Sequence, residues 1–290
     1  MRALLLLVAA SLAAPASTLR LAERTPPTLD PALARSPDAR LLQDAICDRL
    51  YTLSASGKAV PQIALGLPRA GPSMQRPSQW TTYTVTLSPR YRFSDGTPVT
   101  AYSFAEAFAR DANPDVASPV LSELRDVVGV AAVAASEAGS VSGVRARDAT
   151  TLEITTMRKL PKLAELLAQP YFCPVLEGTP DAPGGVTVPP AAGPYFVAEN
   201  LPGRVLLRRN RFYGGTRKAH YEQIELLTGV GFDTCRRRVR TGAVDVCLDA
   251  LPQQAARADL PGLASQGWIS KRVGCLTWLP VVRLDLAMLC

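Results

Sequence analysis

Arg92-Phe93-Ser94-Asp95-Gly96-Thr97-Pro98-Val99-Thr100-Ala101 is the stretch on which the reading of this chain turns. Asp95-Gly96 makes a tight turn, and Thr100 stands where its hydroxyl can accept from a free N–H of a following helix. That helix is predicted over residues 101–110, with Phe104 and Phe108 burying one side and Asn113-Pro114 stopping it. Just upstream, Tyr83, Val85 and Leu87 alternate with Thr82, Thr84 and Thr86, the period of a half-buried strand. Ser94 beside Asp95 invites a catalytic reading, but turn and cap account for every member of the motif. No histidine or lysine lies near in sequence to activate the serine.

Outward from this stretch, residues 18–22 alternate weakly and run into Thr25-Pro26-Pro27 and Leu29-Asp30-Pro31, a short strand followed by a proline-fixed loop. Asp38 is placed to cap a helix in which Leu41, Leu42, Ala45, Ile46, Arg49 and Leu50 form one stripe, leaving Arg40, Asp44 and Asp48 in water. Residues 54–66 read as turns and 71–78 as a polar loop. Further strands are expected at 151–155, 195–199, 205–209, 223–228 and 244–248, and helices at 159–168, 233–240 and 252–258. Strands and helices interleave, joined by a proline-rich stretch at 177–192, so the class is mixed α/β.

The chain has 290 residues, 47% apolar and 20% charged, enough for one large or two ordinary domains. Thirty-two Lys and Arg against 25 Asp and Glu give +7, an excess read as spread along the chain. A single histidine, His220, excludes a two-histidine metal site and any triad that does not pass through it; a surface or hydrogen-bonding role suits it best. Arg236, Arg237, Arg238 and Arg240, without interleaved aromatics, read as a solvated helix face and not a nucleic-acid contact. Met1-Arg2 and the apolar run to Ala14, closed by the small residues Ala14-Pro15-Ala16, read as a secretory signal cut near Ser17. Export makes the six cysteines potential disulfide partners, with 15 pairings open. Cys235 and Cys247 invite pairing by proximity, and Cys47 reads as a small buried hydrophobe. No metal or cofactor is expected.

Several motifs in one order carry a resemblance. Leu29-Asp30-Pro31, the Arg92 to Ala101 stretch with Phe104, Asn113-Pro114 with Ala117-Ser118-Pro119, Gly193-Pro194-Tyr195, residues 206–210 with Tyr213, and Arg240-Thr241-Gly242-Ala243-Val244-Asp245 together resemble the extracellular solute-binding proteins of family 5. These are the peptide and nickel receptors of ABC importers. The likeness runs from about residue 18 to residue 280.

The resemblance implies an α/β, periplasmic-binding-protein-like (type II) first lobe with an inserted subdomain and the second lobe missing. The expected divisions are a signal peptide at 1–16, the first lobe at 17–57 and 187–274, the insertion at 58–186, and a stub of the hinge at 275–290. It implies a binding component of an ABC importer for peptides or related solutes, with an inner-membrane permease as partner. That component would be a periplasmic or secreted monomer, not an enzyme and not a nucleic-acid binder. Family members run to roughly twice this length, so the chain looks like a truncated copy that binds ligand weakly or not at all. For ligand contact the resemblance points to Arg35, Ser36 and Pro37, whose alternative is an ordinary surface loop, and to Trp278, whose alternative is core packing. Cys275 matches a cysteine whose partner in some relatives lies in the second lobe. The competing functional classes are a secreted hydrolase, for which no nucleophile, base and orienting acid are found together, and a nonfunctional gene remnant.

Overall fold

The computed structural model describes residues 17–248; the signal reading, the helix expected at 252–258, Cys275 and Trp278 lie outside them. Eleven strands and five α-helices occur among the described residues. In chain order they are β1 (Thr18–Ala22), α1 (Pro37–Ile46), β2 (Tyr51–Leu53), β3 (Ala59–Pro61), β4 (Arg69–Pro72), β5 (Thr81–Thr86), α2 (Ala101–Ala112), α3 (Val130–Ala134), β6 (Val144–Asp148), β7 (Thr151–Thr156), α4 (Leu163–Leu166), β8 (Tyr195–Leu201), β9 (Arg204–Arg209), β10 (Gln223–Leu227), α5 (Phe232–Arg240) and β11 (Val246–Cys247). The class is mixed α/β, as the interleaved periodicities imply.

Two sheets carry the fold. The first has strand order β11-β1-β10-β9-β8, with β1 parallel to both neighbours and β8, β9 and β10 an antiparallel meander. Its two faces are covered by different helices. Leu19 and Leu21 of β1 share a core with Leu42 and Ile46 of α1, whereas Ala22 packs with Cys235 and Val239 of α5. Successive side chains of a strand point to opposite faces, and this short strand, paired on both edges, is buried on both.

The second sheet, β4-β5-β7-β6, is antiparallel throughout. In β5 Thr82, Thr84 and Thr86 face outward and Tyr83 and Val85 face in, against Leu152 and Ile154 of β7 and Phe104 and Phe108 of α2. The Phe108 ring lies 5.2 Å from that of Phe172. The turn expected at Asp95-Gly96 is present: Gly96 has φ +93°, a conformation that strains any residue with a Cβ. Thr97 N donates to Asp95 Oδ1 at 2.8 Å, and Thr100 N donates to Ser103 Oγ at 3.3 Å at the start of α2.

Several local expectations are corrected. The cap of α1 is Ser36, not Asp38: its Oγ accepts from Ala39 N at 3.1 Å, and Pro37 at the first helical position has no N–H to satisfy. The helix ends at Ile46, so Arg49 and Leu50 are not on its stripe, and Asp48 is wholly buried instead of wet. Residues 54–66 contain β3, paired with β2, and β4 occupies the start of the presumed loop at 71–78. The helix expected at 159–168 shrinks to α4. Pro161 disfavours helical geometry at Leu160, and the Leu160 backbone is occupied instead by Tyr83, whose hydroxyl accepts from its N–H at 2.6 Å and donates to its carbonyl at 3.1 Å.

The cysteines also divide differently. Cys235 bonds to Cys247, tying α5 to β11, the pairing that proximity invites. Cys47, however, is not a free hydrophobe: it bonds to Cys173 across 126 residues. That bond links the end of α1 on the first sheet to the segment packed against α2 on the second.

Candidate functional site

The segment singled out for ligand contact follows Asp30. The Asp30 carboxylate caps the short 3₁₀ turn Pro31–Leu33, accepting from Ala32 N at 2.9 Å. It also accepts from Arg110 Nη1 at 3.3 Å and Nη2 at 2.9 Å, and from Val186 N at 2.8 Å. Arg110 and Asp30 are both at most 1% exposed. Arg110 continues outward, donating to the Pro180 carbonyl at 3.0 Å and lying 3.3 Å from Asp181. One buried ion pair therefore gathers three stretches far apart in sequence: the loop after β1, the end of α2 and the loop at 180–186. The fit at Gly185 is tight. A Cβ there would come within 2.6 Å of Asp30 Cβ, and its φ is +80°, so only glycine closes the loop over the carboxylate.

Beside this pair lies a second buried polar group. Ser118 Oγ is 2.8 Å from the Ala32 carbonyl oxygen and 2.9 Å from Asp111 Oδ1. A hydroxyl has one proton and serves one acceptor at a time. Burial holds the Asp111 carboxyl well above its ordinary value, outweighing the charge of Arg110. A protonated Asp111 can donate to Ser118 Oγ while Ser118 donates to Ala32, which leaves Asp111 Oδ2 buried without a partner.

On this support the 35–37 segment is exposed and held at defined points. Arg35 Nη2 donates to the Ala117 carbonyl at 3.0 Å, with Ala117 in the left-handed region at φ +55°. Ser36 serves the α1 cap and Pro37 its first turn. Ser36 Oγ accepts in the cap and keeps its hydroxyl proton, while the Arg35 guanidinium keeps further donors and can pair with a carboxylate in two-toothed fashion. The structure does not relate these residues to Trp278, which lies outside the described residues.

A polar cluster that periodicity reasoning missed sits at the end of α1. Asp48 accepts from the Tyr213 hydroxyl at 2.7 Å, from Arg217 Nε at 2.8 Å and from Arg217 Nη2. Arg217 also donates to the carbonyls of Asp44 and Cys47, covering the helix C-terminus. Burial first, then the Asp48 charge, pushes the Tyr213 phenol up, which favours its protonated form as the donor to Asp48. No local pattern announces this cluster, because its members are 165 and 169 residues apart.

A cavity of about 640 Å³ opens between residues 122–126 and 158–166, with Arg125, Asp126, Arg158, Lys162 and Leu163 in its wall. Arg35, Ser36 and Pro37 do not line it. Among the described residues no group of three His, Cys, Asp or Glu side chains is placed to hold a metal, and no helix is long and apolar enough to cross a membrane.

Compared with known proteins, residues 71–272 match the model of the bacterial extracellular solute-binding proteins, family 5 Middle. The chain is 29% identical over 178 residues to the periplasmic oligopeptide-binding protein OppA of Salmonella typhimurium, covering 59% of this chain and 33% of that protein. It is 26% identical over 253 residues to the periplasmic murein peptide-binding protein MppA of Escherichia coli, covering 82% of this chain and 44% of that one. Among solved structures, Listeria monocytogenes OppA bound to peptide superposes with a TM-score of 0.66 at 19% identity, over 85% of this chain and 49% of that one. The chain thus spans from a third to a half of the length of the relatives it matches.

Proposed function

Because the chain belongs to the bacterial extracellular solute-binding proteins of family 5, we propose that it is the periplasmic substrate-binding component of an ABC importer for peptides or related solutes. The observation that carries this reading is the family match over 71–272, supported by a fold likeness that takes in most of this chain and only half of its neighbours. In this reading residues 17–57 and 187–274 are the first lobe, 58–186 are its inserted subdomain, and 275–290 begin the crossing toward a second lobe. Arg35, Ser36, Pro37 and Trp278 border the ligand, with Arg35 the polar contact and Trp278 an apolar wall. The partner is an inner-membrane permease, and the protein acts as a monomer without catalysis.

A single lobe leaves a ligand half in water. Affinity in such clefts comes from enclosure and from hydrogen bonds made in dry surroundings, so the 290-residue chain alone binds peptides weakly or not at all. Calorimetric titration with a mixed peptide pool tests both parts, using this chain and the same chain fused to a relative's second lobe. The expected result is heat from the fused protein and little or none from the short one. Micromolar binding by the short chain overturns the one-lobe reading; silence from both overturns the peptide reading.

A further inference from the structure

The excess charge is not spread along the chain. Between residues 204 and 240 there are ten Lys and Arg against three Asp and Glu, an excess of seven that equals the +7 of the whole sequence. Of the nine arginines in that region, seven form two groups; the other two, Arg208 and Arg211, form no salt bridge among the described residues, and Arg211 lies over the Phe212 ring at 4.7 Å. Arg204, Arg209 and Arg217 are each paired with a carboxylate. The arginines on α5 are not: among the described residues, Arg236, Arg237, Arg238 and Arg240 form no salt bridge. Arg237 donates to Thr234 Oγ1 at 2.9 Å and Arg236 lies over the Phe232 ring at 5.8 Å.

The orientation of α5 is fixed. Phe232, Cys235 and Val239 are buried, and the Cys235–Cys247 bond ties the helix to the sheet edge, so the arginines between those positions turn away from the sheet. Two more arginines from the β1 region flank the helix. Arg20 Nη1 donates to the Gly242 carbonyl at 3.3 Å, just past the C-terminus. Arg24 Nη2 is 4.0 Å from where a Cβ on Gly231 would stand, at the N-terminus. Neither is ion-paired among the described residues. The helix dipole favours Arg237, Arg238 and Arg240 in the last turn, but it disfavours Arg24 at the positive end. Dipole compensation therefore does not explain the set of six.

We propose that this six-arginine face of α5 docks on an anionic lipid bilayer surface. The surface is a single solvent-facing helix with long guanidinium side chains, which suits a planar, diffuse array of phosphates. Arginine binds phosphate in two-toothed geometry and gives up hydration more readily than lysine. Successive aromatics that would stack nucleobases are missing from α5, whose one aromatic, Phe232, is buried. Each arginine close to an anionic leaflet is worth about fivefold in partitioning, and the attraction decays within a Debye length.

The test is sedimentation of the full chain with vesicles of phosphatidylcholine alone or with about a third phosphatidylglycerol, in low and in high salt. The readout is the anionic-minus-neutral difference, which subtracts any apolar contribution of the N-terminal run. Two variants are compared, each with an unchanged circular dichroism spectrum: Arg237→Gln/Arg238→Gln/Arg240→Gln, and a charge-matched control, Arg69→Gln/Arg145→Gln/Lys159→Gln. The expected result is salt-sensitive binding to anionic vesicles that falls by about a hundredfold in the first variant and by much less in the control. Equal losses in the two variants, or no preference for anionic vesicles, overturn the proposal. Binding to a DNA duplex of arbitrary sequence at lower concentration than to vesicles would also overturn it, by assigning the face to nucleic acid.

Discussion

Asp30 accepts both terminal guanidinium nitrogens of Arg110, at 3.3 and 2.9 Å, from a position 80 residues away, and water reaches almost none of either side chain. The pair fixes the loop from which Arg35 projects. Two charges out of water are tolerable only together, since each alone bears a desolvation penalty of several kcal/mol.

Arg110→Met should therefore cost about 3–5 kcal/mol, chiefly by stranding the Asp30 carboxylate. The double variant Arg110→Met/Asp30→Leu should be less damaged than Arg110→Met alone, because no buried charge is left. Urea unfolding of the three proteins checks this, and a double variant that falls by the sum of the single losses would count against it.

Asp111 gives a pH dependence with a defined sign. Its folded value is raised by burial, so the folded chain holds a proton that the unfolded chain releases near the ordinary carboxyl value of about 3.9. That contribution is fully present below about pH 3.9 and is lost as pH rises through the raised folded value. Asp111→Asn keeps a donor toward Ser118 and cannot ionise. Its stability relative to the wild type should therefore climb between pH 4 and pH 8 in parallel urea titrations; a gap that narrows or reverses with rising pH would refute the neutral carboxyl.

The two disulfides should differ in worth. Cys47–Cys173 closes 126 residues and Cys235–Cys247 closes 12, so the chain-entropy model assigns about 5 and about 3 kcal/mol respectively. Cys47→Ser/Cys173→Ser should lower the thermal midpoint more than Cys235→Ser/Cys247→Ser. The first variant should also separate the unfolding of the two sheets, because its bond links them.

Phe104 is 1% exposed at the centre of the second core. Phe104→Ala should cost about 3–5 kcal/mol. Ser94→Ala should change stability by no more than about 0.5 kcal/mol, since it keeps the backbone donation from Ser94 N to the Ala191 carbonyl. Any hydrolytic activity that vanished in Ser94→Ala would reverse the structural reading of that motif.

The sequence by itself determined what depends on neighbours a few positions apart. The β5 alternation, the Asp95-Gly96 turn and the Phe104 and Phe108 face of α2 each rest on spacing within about a dozen residues, where strand and helix periods are legible, whereas proximity only invited the Cys235–Cys247 bridge among 15 open pairings. The family was legible too, because its motifs succeed one another in a fixed order. Only the tertiary structure decided the rest. Asp48 looked like a wet helix position until Arg217 arrived from the other end of the chain, and Cys47 looked like a small hydrophobe until Cys173 met it. Asp30 read as part of a proline-fixed loop, and its capture of Arg110 brings the loop at 180–186 over it. A buried charge is permitted by its partner, and these partners lie 80 to 169 residues away, where no local period can point to them.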